Sequence, residues 1–108
     1  MKLPTIALLA VATLSLGACA SLMQTASISE AYKHYESKHY DRTLELIRQA
    51  ESAEAVSAEM KAELTYLKAM TYEELGEGET ANTLYEYLVQ EHSNSQYGYM
   101  AVKKLNIN

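Results

Sequence analysis

After Pro4 the chain contains no further proline, and no other feature narrows its fold as much. Proline removes a backbone donor and breaks helix interiors, so its absence leaves long helices unobstructed. Past the first twenty residues glycine is confined to Gly76, Gly78 and Gly98. The residues between are rich in Ala, Leu, Glu, Lys, Met and Gln, all good helix formers. No stretch alternates apolar and polar residues over strand length, so the period points to helices throughout. The expected fold class is all-α.

Spacing predicts five helices. The first runs over 29–37, capped by Ser29, with Tyr32 and Tyr35 on one face. The second runs over 41–53, with Asp41 as N-cap and Leu44, Ile47 and Ala50 at helical spacing. The third runs over 57–75 behind a Ser57 cap, with a stripe of Met60, Leu64, Leu67 and Thr71 beside Ala69 and Tyr72. Gly76-Glu77-Gly78 ends it, as glycine commonly does past a helix. The fourth, 79–91, carries Ala81, Leu84, Tyr85 and Leu88 on one face, and His92-Ser93-Asn94-Ser95 forms a turn. The fifth, 96–105, places Tyr97, Ala101 and Leu105 four residues apart.

The chain is similar to itself at an offset of 38 residues, 31–44 against 69–82. Each copy has an alanine in its first helix (Ala31, Ala69), an aromatic near that helix's end, a tight turn, and a small residue in the second helix (Thr43, Ala81). In the second copy Ala69, Tyr72, Gly76-Glu77, Ala81 and Tyr85 resemble the tetratricopeptide repeat pattern. Tyr85-x-x-Leu88-x-x-x-His92-Ser93-Asn94-Ser95-Gln96-Tyr97, followed by Ala101 and Leu105, resembles a variant found in bacterial envelope proteins. That variant has prolines where Ser93 and Gln96 stand, a leucine where Lys68 stands, and a turn glycine where the first copy has Lys38. The resemblance covers 28–105. It implies two helix hairpins and a C-terminal capping helix in a short α-solenoid. Helix pairs of this kind cannot cover their own apolar faces and stack on neighbours instead.

The N-terminal residues carry a second pattern. Met1-Lys2 precedes an apolar run from Leu3 to Leu16, which has the charge, length and small-residue ending of a secretory signal. The run is shorter than the roughly 20 residues of a bilayer span. Leu16-Gly17-Ala18-Cys19 resembles the lipobox of bacterial lipoproteins, in which the cysteine is acylated and the chain is cut before it. The resemblance implies a signal peptide over 1–18, a lipid-bearing Cys19 with a short tether over 19–27, and a helical domain over 28–108. Ala20 directly after that cysteine, rather than Asp, implies outer-membrane rather than inner-membrane retention in a Gram-negative envelope. The alternative is an ordinary signal peptide cut at Ala18-Cys19-Ala20, with export but no anchor.

Charge and chemistry narrow the function. Without Lys2 the chain has eight Lys and Arg against 14 Asp and Glu. An acidic surface disfavours nucleic acid and electrostatic docking on anionic lipid. The single cysteine has no disulfide partner within the chain. No helical metal motif, phosphate loop or nucleophile elbow is present, so the expectation is no enzyme and no cofactor beyond the covalent lipid on Cys19. His34 and His39, five apart across a turn, read as packing or solvated residues rather than ligands. The acidic run Glu73, Glu74, Glu77 and Glu79 reads as a solvated helix end, or as a rim for a basic partner. Nine tyrosines, with no Phe or Trp, suit surfaces that are half dry and half wet. Tyr66, Tyr87 and Tyr99 fall outside the matched packing positions.

These observations lead to a non-catalytic adaptor, anchored at the periplasmic face of the outer membrane, that binds an envelope protein or peptide segment. Repeat geometry nominates Tyr35, Tyr66, Lys68 and Glu73 for its binding face. Two alternatives are a pilotin-like lipoprotein that carries a secretin subunit, and a structural lipoprotein that self-associates as a homodimer.

Overall fold

The computed structural model describes residues 25–106, and all regular structure among them is helical. Helix α1 occupies 25–36. It is followed by α2 (Tyr40–Glu51), α3 (Ala58–Glu74), α4 (Gly78–Glu91) and α5 (Gln96–Leu105). Helix α3 packs against α2, α4 and α5, and α4 packs against α5. Each helix therefore rests mainly on its sequence neighbours, the arrangement of a short helical solenoid. The expected Cys19 anchor lies outside the described residues.

Local chemistry accounts for most boundaries. The Ser57 side chain accepts a hydrogen bond from the Met60 amide at 3.1 Å, and Ser95 accepts one from Tyr97 at 3.1 Å. Each satisfies a donor that the first turn would leave open. Helix α2 starts one residue early: His39 is its N-cap without a side-chain bond, and Asp41 lies inside the first turn. There its charge still complements the positive end of the helix. Helix α1 also begins before the predicted 29, so residues 25–27 are helix rather than tether.

The 38-residue offset recurs in three dimensions. Gly76, at φ +80°, follows α3, and the Glu77 amide reaches back to the Tyr72 carbonyl at 2.9 Å. Lys38, at φ +65°, follows α1, and the His39 amide reaches back to the His34 carbonyl at 2.8 Å. Both are the six-to-one bond of a left-handed helix terminus. Ala31 and Ala69 are fully buried, as are Thr43 and Ala81, at matching positions in the two copies. A side chain in the left-handed region is strained in the first copy only, since glycine escapes it in the second. Lys38→Gly is expected to raise stability by about 0.5–1 kcal/mol, the relieved strain less the extra freedom of the unfolded chain. Thermal melts of the two proteins check this, and an unchanged or lowered midpoint would contradict it.

Helix α3 supplies two cores. Leu64 and Leu67 join Ala31, Leu46, Ile47 and Ala50 on one side. Ala62, Tyr66 and Ala69 join Ala81, Tyr85, Leu88 and Ala101 on the other. Met70 touches both. Thr71, also fully buried, donates its hydroxyl to the Leu67 carbonyl at 2.7 Å, so its burial leaves no open donor. In α2 the buried set is Thr43, Leu46, Ile47 and Ala50, with Leu44 only half-buried, so the core face is turned by one residue from the predicted one. The predicted stripe of α4 stands, with Ala81, Tyr85 and Leu88 buried and Leu84 packed at the edge.

Candidate functional site

The site is built from alternate helices. Tyr32 of α1 donates its hydroxyl to Glu63 Oε1 of α3 at 2.9 Å. Tyr40, the first residue of α2, donates to Glu74 Oε2 at the far end of α3 at 3.4 Å, so the end of α1 lies near the end of α3. Lys104 of α5 pairs with Glu73 Oε2 at 3.3 Å, while Tyr97 at the start of α5 lies within the field of Glu63 and Glu59. Helices α1, α3 and α5 therefore run in the same direction and share one face. Along α3 that face is a stripe of Glu59, Glu63, Tyr66, Met70 and Glu73, spaced by three and four residues. The result is a band of tyrosine rings edged with carboxylates.

Burial decides what each tyrosine does. Tyr66 is only 6% exposed and holds the Tyr85 and Tyr97 rings at 5.7 and 5.8 Å. It is a core residue with one edge showing, not the open contact residue expected of it. Its edge lines an open cavity of about 320 Å³ with Met100, Lys103 and Lys104. Tyr35 is half-buried against the first core and meets the Tyr40 ring edge-on at 5.8 Å. Tyr85 is fully buried, and its hydroxyl makes no hydrogen bond at bonding geometry. Tyr87 packs edge-on to His92 at 5.5 Å. Tyr99 stands 62% exposed under the Lys103 ammonium, 4.8 Å from its ring centre.

Lys68 does not belong to this face. It lies about 200° round α3 from Tyr66 by helical geometry, and its ammonium pairs with Glu51 of α2 at 2.9 and 3.3 Å. Of the four nominated binding residues, Tyr35, Tyr66 and Glu73 are brought together and Lys68 is separated from them. The repeat positions Ala69, Ala81, Tyr85, Leu88 and Ala101 are buried, Tyr72, Tyr97 and Leu105 pack at the core's edge, and Gly76 makes the turn. Sequence reasoning missed Glu63. Its only signal was a carboxylate three residues before Tyr66, close to Tyr32 and Tyr97 only once the stack forms.

Five of the tyrosine hydroxyls, those of Tyr32, Tyr35, Tyr40, Tyr85 and Tyr97, are held neutral. Burial, followed by the Glu63 hydrogen bond, pushes Tyr32 far above the ordinary tyrosine range. Burial, followed by Glu73, does the same for Tyr85. Tyr35, Tyr40 and Tyr97 are raised in the same direction, each by desolvation first and then by Glu74 or Glu63. Because these folded-state values exceed the unfolded value of 10, the native state binds more protons in alkali. Their contribution to stability is then fully present below about pH 10 and is lost as pH rises above it. An alkaline titration followed at the tyrosinate absorbance is expected to show a late group of tyrosines that ionises together with loss of helicity. Smooth ionisation of all nine without unfolding would contradict it.

His34 and His39 come closer than their spacing suggested. The turn at Lys38 brings their Nδ1 atoms to 3.3 Å, with ring centres 5.5 Å apart. The contact requires one Nδ1 to carry a proton and the other to accept it. Among the described residues no group of three His, Cys, Asp or Glu side chains is placed to hold a metal ion. Among the same residues no helix is long and apolar enough to cross a membrane. No protein-family model matches the chain, and no curated protein or solved structure matches it.

Proposed function

We propose that this protein is a non-catalytic adaptor, anchored by lipid on Cys19 to the periplasmic face of the outer membrane, that docks a basic protein segment along the face of α1, α3 and α5. The observation that carries the reading is the convergence of Tyr32, Glu63, Tyr66, Tyr97 and Glu73 from alternate helices onto one surface. Rigid aromatic rings give contact area at low entropic cost, which is why tyrosine is enriched in interfaces. The carboxylates set the sign of the partner. Four carboxylates, Glu59, Glu63, Glu73 and Glu74, lie along it against two ammoniums, Lys103 and Lys104, of which Lys104 pairs with Glu73, so cationic segments are favoured and anionic ones repelled. The tetratricopeptide-like pattern supports the same face, since alternate helices line the inner surface of such stacks. The signal segment and Leu-Gly-Ala-Cys motif support the anchor.

One experiment tests both parts in the full chain expressed in a Gram-negative envelope. A photo-crosslinking residue replaces Met100 on the proposed face or Glu86 on the opposite, α4 side. The Met100 position is expected to yield a discrete adduct with another envelope protein and the Glu86 position none. Cys19→Ser is expected to abolish lipid labelling and weaken that adduct by releasing the chain from the membrane. Equal labelling from both positions overturns the adaptor reading, and adducts between two copies of this chain favour self-association instead. Lipid-free parent protein overturns the anchor.

A further inference from the structure

We infer that His34 and His39 form a two-nitrogen site for a divalent transition metal ion of the zinc type, at the turn between α1 and α2. The inference is independent of the adaptor reading. The two Nδ1 atoms stand 3.3 Å apart. A tetrahedral zinc ion bonded to two imidazole nitrogens at about 2.0–2.1 Å holds them about 3.3–3.4 Å from each other. The pair already has that bite. The backbone sets it. His34 lies in the last turn of α1, and His39 is the N-cap of α2. Between them Lys38 takes φ +65°, and the His39 amide closes the turn on the His34 carbonyl at 2.8 Å. Within one continuous helix this spacing would put the rings on different faces. The left-handed residue turns them together.

The surroundings suit an ion that arrives from solvent. His39 is exposed and His34 half-buried, so the pair is reached without opening the fold. The last turn of α1 presents partial negative charge beside His34. The first turn of α2 has the opposite sign, but it contains Asp41. Glu36 and Asp41 offset Lys38, and Arg42 is drawn to Glu45 at 3.0 Å. In the present contact one Nδ1 donates a hydrogen bond to the other. On binding, the donor ring moves its proton from Nδ1 to Nε2 through solvent. Both Nδ1 lone pairs then go to the ion, and the neutral pair releases no net proton. The ring planes, tilted by 42°, turn about their Cβ–Cγ bonds to aim at it. Imidazole nitrogen suits zinc, copper and nickel, whereas magnesium prefers oxygen. Two of the four positions remain for water or for a donor atom of a docked protein.

The test uses the full chain without an affinity tag, solubilised in detergent at about pH 7.5, where ordinary imidazoles are mostly neutral. Zinc is titrated in, and the imidazole nitrogens are followed by long-range proton–nitrogen NMR. The Nδ1 resonances of His34 and His39 are expected to move together, and those of His92, which packs on Tyr87, to stay. Magnesium at the same concentration is expected to move none of them. At a tenfold excess of free zinc over its dissociation constant the melting temperature is expected to rise by about 6–10 °C. Loss of a partner behind a metal ligand already costs about 10–100-fold in affinity. His34→Gln and His39→Asn, which remove ligands themselves, are therefore each expected to weaken zinc at least about tenfold and to cancel the melting shift. His92→Gln is expected to change neither. Melts without zinc confirm that each variant is folded. Nδ1 resonances that do not move, unchanged affinity in the His34 or His39 variant, or an equal response to magnesium overturns the site.

Discussion

Gly98→Ala is expected to lower the melting temperature by about 15 °C, equivalent to roughly 3 kcal/mol for a domain of this size. Gly98 lies in the first turn of α5, where that helix crosses the end of α4. A β-carbon built there falls 2.1 Å from the His92 carbonyl oxygen, 2.9 Å from its carbon and 3.1 Å from the Leu88 carbonyl oxygen. All three are backbone atoms, so no side chain can swing aside. The helix must move away, which separates Ala101 and Tyr97 from Tyr85 and Leu88 and opens the second core. Circular dichroism melts measure the effect. A shift below about 4 °C would mean that α5 slides freely, against the packing described. The alanine's better helix propensity, worth about 1 kcal/mol, works in the opposite direction and is already included.

Leu67→Ala is expected to cost about 3 kcal/mol, from lost burial and the cavity left behind. Leu67 is fully buried between α1, α2 and α3. Its helix also holds the other core, and Met70, about one turn further on, touches both. The loss is therefore expected to appear as one lowered transition rather than as melting of the first hairpin alone. Hydrogen exchange measures this. Amides of α4 are expected to lose protection along with those of α2, and full protection of α4 in the variant would show that the two cores unfold separately. Tyr99→Ala serves as a control, since that ring is 62% exposed and its removal should change stability by less than about 0.5 kcal/mol.

Local rules made much of this legible in advance. The α5 bounds, the Ser57 cap and the Gly76 turn each depend on chemistry within a few residues, and each was found where the sequence put it. What was misread depends on the assembled stack. Tyr66 was nominated by repeat geometry, which does not tell how far the Tyr85 and Tyr97 rings of two other helices will cover it. Lys68 looked like a groove residue until its partner Glu51, 17 positions away, was seen to draw it to the other side. Gly98 carries no conformational signal of its own, because its role arises only from the His92 backbone lying against it. Likewise Glu63 gains its meaning from tyrosines on two other helices.

Helices α1, α3 and α5 also share a polarity. Each presents the partial positive charge of its first turn at the end marked by Glu59 and Tyr97, and the partial negative charge of its last turn at the end marked by Glu74. Three parallel dipoles on one face add, whereas α2 and α4 point the other way and lie behind them. The band is thus an oriented track, with the negative ends of its three dipoles beside Glu73 and Glu74. An extended segment lying in it has two possible directions, and the one that puts its cations beside Glu73 is preferred. Reversing the order of charges in such a segment, with composition unchanged, should weaken its binding.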